Sequence, residues 1–387
     1  MNVLDVVLVV VAISAAVAGY RLGFVTRATS WLGLALGVTV GALALPPLLR
    51  QVQGSSDVTV ALVAIGALAG SALLGQALGL VVGTRLHVGL PHGPVRRVDQ
   101  AVGALLGIVG LLVGLWLLLP TLADVPGWTS EQARGSIIAR EVNARFPDAP
   151  DTLQALRRLV GDNPFPRVFD ALRPSPDPGV APEASGLSDA LATTAAASTV
   201  KIEGEACSRI QEGSGFFVAD DLVVTNAHVV AGEDDSDVLL SDGTRTDGTV
   251  VAFDPVRDLA VLRTSGADRP ALPLDEAEVG TAGGVFGHPG GGPLEISPFQ
   301  VGEQITAVGT DIYDSSRSER KVLVLAADLA PGDSGGALVD SRGQVVGVAF
   351  AIAPDRPSVA YALAVDEVTA VLSGDLTQER DTGNCLV

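Results

Sequence analysis

The sequence predicts two regimes of structure in one chain: an α-helical region of four membrane spans, then an all-β domain of two barrels. Three observations carry this reading. Hydrophobic residues make up 48% of the 387 residues and the mean hydropathy is +0.40, higher than an ordinary soluble domain. The formal charge of −19 is unevenly placed: residues 1–120 hold six Arg against three Asp, so the acidic excess lies in the remainder. From Thr199 onward, short β-type runs alternate with Gly/Asp turns.

The spans come first. Apolar runs cover Val3–Gly19, Thr29–Leu49, Val58–Val82 and Ala101–Leu119, each near or above the ~20 residues that cross ~30 Å of hydrocarbon. The first run lacks a basic n-region and further spans follow at once, which argues against a cleaved signal peptide. Arg21 and Arg27 lie in the first loop, and Arg85, Arg96 and Arg97 in the third, against Arg50 alone in the second. Loops one and three are therefore expected in the cytoplasm, with the amino terminus and everything after Pro120 outside. Gly33, Gly37 and Gly41 recur every fourth residue, as do Gly75 and Gly79. That spacing suits closely packed helices. Asp5 and Asp99 read as edge residues rather than parts of an ion path.

A linker is expected over 121–198. Ser130–Ala144 and Asp151–Val160 have the apolar spacing of short surface helices. Arg173–Gly179 is rich in Pro and reads as a semi-stiff spacer. Ala184–Ser198 is small and polar and reads as mobile. Asp177–Thr199 would then be a flexible tether open to cleavage by its own chain.

The β region, 199–387, starts with a strand at Thr199–Gly204, and further runs such as Leu222–Thr225, Ala260–Arg263 and Val345–Ala351 follow. Its acidity would repel nucleic acid and anionic lipid. Three segments carry chemistry. Val224-Thr225-Asn226-Ala227-His228 brings a strand to a histidine beside small residues. Asp258 heads the apolar run Leu259–Leu262. Pro331-Gly332-Asp333-Ser334-Gly335-Gly336 surrounds a serine with glycines. A serine hydroxyl needs a base to become a nucleophile, and imidazole titrates in the right range. The imidazole needs a buried acceptor to fix its tautomer, the role of Asp258. The developing oxyanion needs fixed donors, here the N–H groups of Gly332 and Ser334. His288, in a Gly/Pro turn, is a weaker candidate base and reads as structural. No metal cluster or cofactor motif is present, so neither is expected.

These motifs resemble the chymotrypsin/HtrA superfamily of serine proteases over 199–387. Leu4-Asp5-Val6-Val7 and Gly19-Tyr20-Arg21-Leu22-Gly23-Phe24 resemble the opening of the colicin V production (CvpA) membrane family. Together the two halves are similar to actinobacterial membrane-anchored periplasmic proteases of the MarP acid-resistance type. The resemblance implies a chymotrypsin-like double β-barrel, protein or peptide substrates that include cell-wall enzymes, and a role in acid and oxidative stress. It also implies that extended substrate pairs with Val348, Ala349, Phe350 and Ala351. Asp328, six residues before the serine, is placed either to select a basic side chain or as a solvent-facing loop acid.

Two departures from the pattern stand out. Thr199-Val200-Lys201-Ile202 is an ordinary strand rather than a zymogen junction, so Asp333 needs another partner. No PDZ-like peptide-binding domain is expected before Val387. Two alternatives to an endopeptidase are an inert protease-like scaffold, disfavoured by the intact triad, and an esterase, disfavoured by the barrel-type serine motif. The two cysteines, Cys207 and Cys385, both lie in the region expected outside the cytoplasm. A disulfide between them is expected there.

Overall fold

The computed structural model describes residues 1–51, 57–91, 93–147, 168–169, 172–206, 209–267 and 269–386. The chain forms two compact units, one holding Met1–Val125 and Gln132–Asp162 and the other holding the β region.

The first unit is built on α1 (Val3–Gln51), α2 (Asp57–Val88) and α3 (Pro94–Asp124). All three are long and apolar enough to cross a membrane, over Val3–Leu48, Gly66–Val88 and Pro94–Leu119. The sequence suggested a loop between the first two apolar runs. The structure instead has a single non-helical residue, Gly23, at φ 76 and ψ 167. That break reverses the chain. Ala15 lies against Gly107 and Trp31 against Gly110, one turn apart on α3, whereas a straight helix would separate Ala15 and Trp31 by about 24 Å. Glycine spacing works as expected: a Cβ at Gly33 would sit 2.2 Å from the Gly75 carbonyl oxygen, so the backbones touch.

The two carboxylates read as edge residues have defined partners. Asp99 accepts the Val25 N–H at 3.0 Å, capping the helix that restarts after Gly23, and lies 2.8 Å from His87 Nδ1. Asp5 accepts from Ser136 Oγ at 2.6 Å and from the Ile138 N–H at 3.0 Å. Ser136 is itself the N-cap of α5 (Ile137–Arg145) and separates it from α4 (Trp128–Gly135). The single helix expected over Ser130–Ala144 is therefore two. The helix expected over Asp151–Val160 lies outside the described residues.

The linker departs most from expectation. Residues 168–198 belong to the compact β unit, so the expected boundary at 198 falls inside it. Phe169 meets Tyr361 edge-on at 5.6 Å, and the Arg173 guanidinium lies 4.1 Å from the Phe169 ring centre. Ser175 is buried, with its N–H and Oγ both donating to the Asp355 carboxylate at 2.9 and 2.5 Å. Asp177 pairs with Arg356 at 2.8 Å. A Pro-rich run forms no ladder of its own, so its remaining backbone donors are open to side chains of the barrel. Ala184–Ser198 is not mobile either: Ser188 caps α6 (Asp189–Ser198), whose Ala192, Ala195 and Ala196 pack on the core.

Twelve strands follow. β1 (Thr199–Ala206), β2 (Arg209–Ala219), β3 (Leu222–Thr225), β4 (Ser236–Leu239), β5 (Arg245–Asp254) and β6 (Leu259–Thr264) close in the order β1-β2-β3-β6-β5-β4. β7 (Ala282–Gly287), β8 (Glu295–Thr310), β9 (Arg317–Ala326), β10 (Ala337–Asp340), β11 (Val345–Ile352) and β12 (Val359–Ala364) close in the order β10-β11-β12-β9-β8-β7. Strand alternation sorts the core. Phe217, Ala260 and Leu262 fill the first barrel, while Leu323 and Leu325 fill the second. Their sequence neighbours Phe216, Leu259, Val261, Val322 and Val324 face a third cluster shared by both barrels. Truncating a buried Phe such as Phe216 to Ala should cost about 3–5 kcal/mol. The shared seam is where the chemistry sits.

Candidate active site

The histidine arrives on a single helical turn, α7 (Ala227–Val230), directly after β3. Asp258 closes the β5–β6 turn in the left-handed region, at φ 61. That strained backbone is held by Asn226, whose Nδ2 donates to the Asp258 carbonyl at 2.9 Å. The carboxylate is fully buried and reaches His228 twice. Oδ1 accepts the His228 backbone N–H at 2.9 Å, and Oδ2 lies 2.8 Å from Nδ1. The carboxylate and the imidazole are thus joined through Nδ1, a contact in which Nε2 takes no part.

Ser334 comes from the loop before β10, in the second barrel, and is 5% exposed. Its carbonyl accepts the Ser214 N–H from β2 at 2.8 Å. Gly213, beside it, packs against Val229 of the histidine turn. β2 therefore lies between the histidine turn and the serine loop. Among the described residues no hydrogen bond joins Ser334 Oγ to the His228 ring. Such a bond commonly tightens only with substrate bound.

The loop around the serine is fixed peptide by peptide. The Pro331 carbonyl accepts the Gly290 N–H at 2.6 Å, which turns the Gly332 N–H of the same trans peptide to the side away from Gly290. Gly332 has φ 100, a conformation that a Cβ would strain. Asp333 finds its partner in the Ala330 N–H, at 2.9 Å from Oδ2. Burial lifts the Asp333 carboxyl to about 6, against that hydrogen bond. On β11, pairing with β10 ends at Val348. Beyond it, Ala349 exchanges hydrogen bonds with Gly335 and Gly336, and among the described residues Phe350–Ile352 have no strand partner on the β10 side.

Comparison with known proteins agrees with this arrangement. Residues 213–348 match the family described as trypsin-like peptidase domain, and residues 4–146 match colicin V production protein. The chain is 32% identical to serine protease Rv3671c of Mycobacterium tuberculosis, over 99% of this chain and 98% of that one. It belongs to that serine protease family, the MarP type. A crystal structure of the Rv3671c protease in its active form, 36% identical, superposes with a TM-score of 0.50, covering 56% of this chain and 99% of that one. A putative serine protease HhoA of Synechocystis is 33% identical over 41% of this chain and 42% of its own. The present chain is accordingly a serine endopeptidase with a chymotrypsin/HtrA-like β region, anchored to a membrane by its helical region.

Other expected residues of the protease find their places. Asp328 is exposed. His288 is structural: Nδ1 lies 2.9 Å from the Gly292 carbonyl and burial lowers its pKa. Cys385 packs against Gly232, and Cys207 lies outside the described residues. The tail before Cys385 runs along the first barrel, where the Gly232 N–H donates to the Thr382 carbonyl at 3.1 Å, four residues after His228.

Three residues near the site were not foreseen. Glu233 is buried behind the histidine turn, where Gln211 Nε2 donates to the Ala231 carbonyl at 3.1 Å and Ser236 donates to the Glu233 carboxylate. Burial, outweighing those donors, lifts the Glu233 carboxyl to about 7. Arg320 is a buried cation over the Phe350 ring, at 5.6 Å, within electrostatic reach of Asp258. Ser214 touches both halves of the site. None has a local sequence signal beyond a polar residue in a β-type run.

Proposed function

We propose that this protein is an extracytoplasmic serine endopeptidase in which His228 is the general base, Asp258 its orienting acid and Ser334 the nucleophile, with the Gly332 and Ser334 N–H groups as the oxyanion hole. The observation that supports it most is the double contact of Asp258 with His228, across the barrel seam from a serine loop whose Gly332 N–H is already turned. Ser334 Oγ attacks the scissile carbonyl as its proton passes to His228 Nε2. The acyl-enzyme forms when the leaving amine takes that proton, and water repeats the sequence. Extended substrate would add a strand to β11 at Phe350–Ile352, the stretch open on that side, rather than along all of Val348–Ala351, because Val348 and Ala349 already pair with β10 and the serine loop.

The chymotrypsin-like double barrel and four membrane crossings belong to the same reading. The reversal at Gly23 supports two crossings within α1, and the arginine distribution supports an amino terminus and protease facing outward. Family membership supports envelope proteins, cell-wall enzymes among them, as substrates under acid or oxidative stress. A Cys207–Cys385 disulfide fits an oxidising compartment. The deciding experiment treats membranes with a tagged fluorophosphonate. Wild-type protein should be labelled and should cleave a casein-derived peptide; Ser334→Ala should do neither. Equal labelling of the two would refute the assignment.

A further inference from the structure

The geometry points to Ser214 as the positioning residue of the oxyanion hole: a hydroxyl from the first barrel that sets the peptide planes of the serine loop in the second. This rests on the triad reading above and deepens it.

Ser214 lies on β2, fully buried, and all of its polar groups face the site. Its N–H donates to the Ser334 carbonyl at 2.8 Å. Its carbonyl accepts Thr225 Oγ1 at 2.7 Å, at the end of the strand that leads into the histidine turn. Its hydroxyl makes two bonds at once, donating to the Gly332 carbonyl at 2.7 Å and accepting the His288 N–H at 2.8 Å.

The two oxyanion donors belong to the peptides 331–332 and 333–334. Between them lies the peptide 332–333, whose carbonyl the Ser214 hydroxyl holds. Gly332 has no Cβ to resist a flip, so its orientation must come from hydrogen bonds. The Pro331 carbonyl is fixed by Gly290, and Gly290 sits two residues after the His288 N–H that Ser214 also holds. One hydroxyl thereby grips the serine loop directly and through the 288–291 turn. Its own strand is pinned at Thr225, so the grip ties the loop to the barrel that carries His228 and Asp258. A displacement of a few tenths of an ångström in a donor is felt in the transition state and little in ground-state binding.

The test uses the full-length protein in detergent, a fluorogenic peptide that the wild type cleaves, the peptide aldehyde of the same sequence, and the corresponding peptide alcohol. The aldehyde adds to Ser334 and places an oxyanion in the hole; the alcohol binds without one. Ser214→Ala should lower kcat by about 10- to 100-fold with KM within about twofold. Aldehyde affinity should fall by a similar factor and alcohol affinity should not. Ser214→Thr, which keeps the hydroxyl, should recover most of the kcat. If Ser214→Ala does not fold, Ser214→Cys, of similar size and a weaker donor, must show the same split. A folded Ala or Cys variant with kcat and aldehyde affinity within twofold of wild type overturns the assignment. So does a loss that falls equally on alcohol and aldehyde. Ser334→Ala runs alongside: if it is as active as wild type, the triad reading has failed instead.

Discussion

Asp258 holds His228 by its backbone and its ring together, with Oδ1 on the peptide N–H at 2.9 Å and Oδ2 on Nδ1 at 2.8 Å. An amide at this position keeps one acceptor oxygen and replaces the other with an NH2 that can only donate, which favours the tautomer with Nδ1 unprotonated. Asp258→Asn should therefore leave the fold in place and lower kcat by roughly 10⁴-fold through the wrong tautomer. Peptide hydrolysis, read against a thermal melt of the same sample, checks it. A fall of less than tenfold in a folded variant would mean that Asp258 does not orient the base.

Two buried carboxyls give the β unit a pH dependence whose sign can be stated. Burial raises Glu233 from 4.5 to about 7 and Asp333 from 3.8 to about 6. The folded state then binds protons that the unfolded chain has released. Their favourable contribution is complete below about pH 4 and is lost as pH rises to about 7. For Glu233 the loss is on the order of 3 kcal/mol. Glu233→Gln, which resembles the protonated form, should raise the melting temperature at about pH 7.5 and leave it nearly unchanged at about pH 4.5. Equal shifts at both values would show that the Glu233 charge is not the cause.

The docked segment before β1 changes the expectation for self-cleavage. With Ser175 on Asp355 and Asp177 on Arg356, the chain between Asp177 and Thr199 is a poor extended substrate. Release of a soluble fragment by a cut in this stretch should be slow in wild type and several-fold faster in Asp355→Ala. It should be absent when Ser334→Ala is added. Immunoblots of membrane and soluble fractions over time would show the order, and equal release from all three would point to another protease.

Cys385 packs on Gly232, close behind the histidine turn. A bridge from there to Cys207 would close a long loop, for which chain entropy gives about 5 kcal/mol as an upper figure. Cys385→Ala should lower the melting temperature and weaken hydrolysis. Mass spectrometry of non-reduced protein should recover a peptide joining Cys207 to Cys385. Two alkylatable thiols in protein taken from an oxidising compartment would exclude the bridge.

Within the helical unit, Asp99 caps the helix that restarts at Gly23 and pairs with His87. Asp99→Ala should cost about 1–3 kcal/mol by leaving the Val25 N–H unpaired in an apolar bundle. Asp99→Asn, which still accepts from Val25, should cost less. Thermal melts in detergent distinguish them, and equal melts would remove the cap from the account.

What the sequence disclosed follows from how local each signal was. β3 was read at its true limits, Leu222–Thr225, because apolar residues run up to a polar turn on each side. β10 and β12 were missed because every residue is buried, so neither shows alternation, and Ala occupies three of the six positions of β12. α6 was read as mobile because its Ala and Thr are small; high Ala propensity and the Ser188 cap outweigh that. The contact of His228 with Asp258 was legible because each sits in a distinctive local setting. Ser214 was not, because its role exists only where two barrels meet, and Gly-Ser-Gly within a strand looks like a weak point. The partners of Asp5 and Asp99 were not legible for the same reason: they lie 131 and 74 positions away.

The segment that packs Phe169 on Tyr361 and Ser175 on Asp355 has a mechanical consequence. Any pull carried along the chain from the membrane reaches those two contacts before it reaches β1. Tyr361 pairs in register with Ala351 across β11 and β12, and Asp355 sits in the turn between the same strands. Tension is thus loaded first onto the hairpin proposed to receive substrate and is kept from the histidine turn in the other barrel.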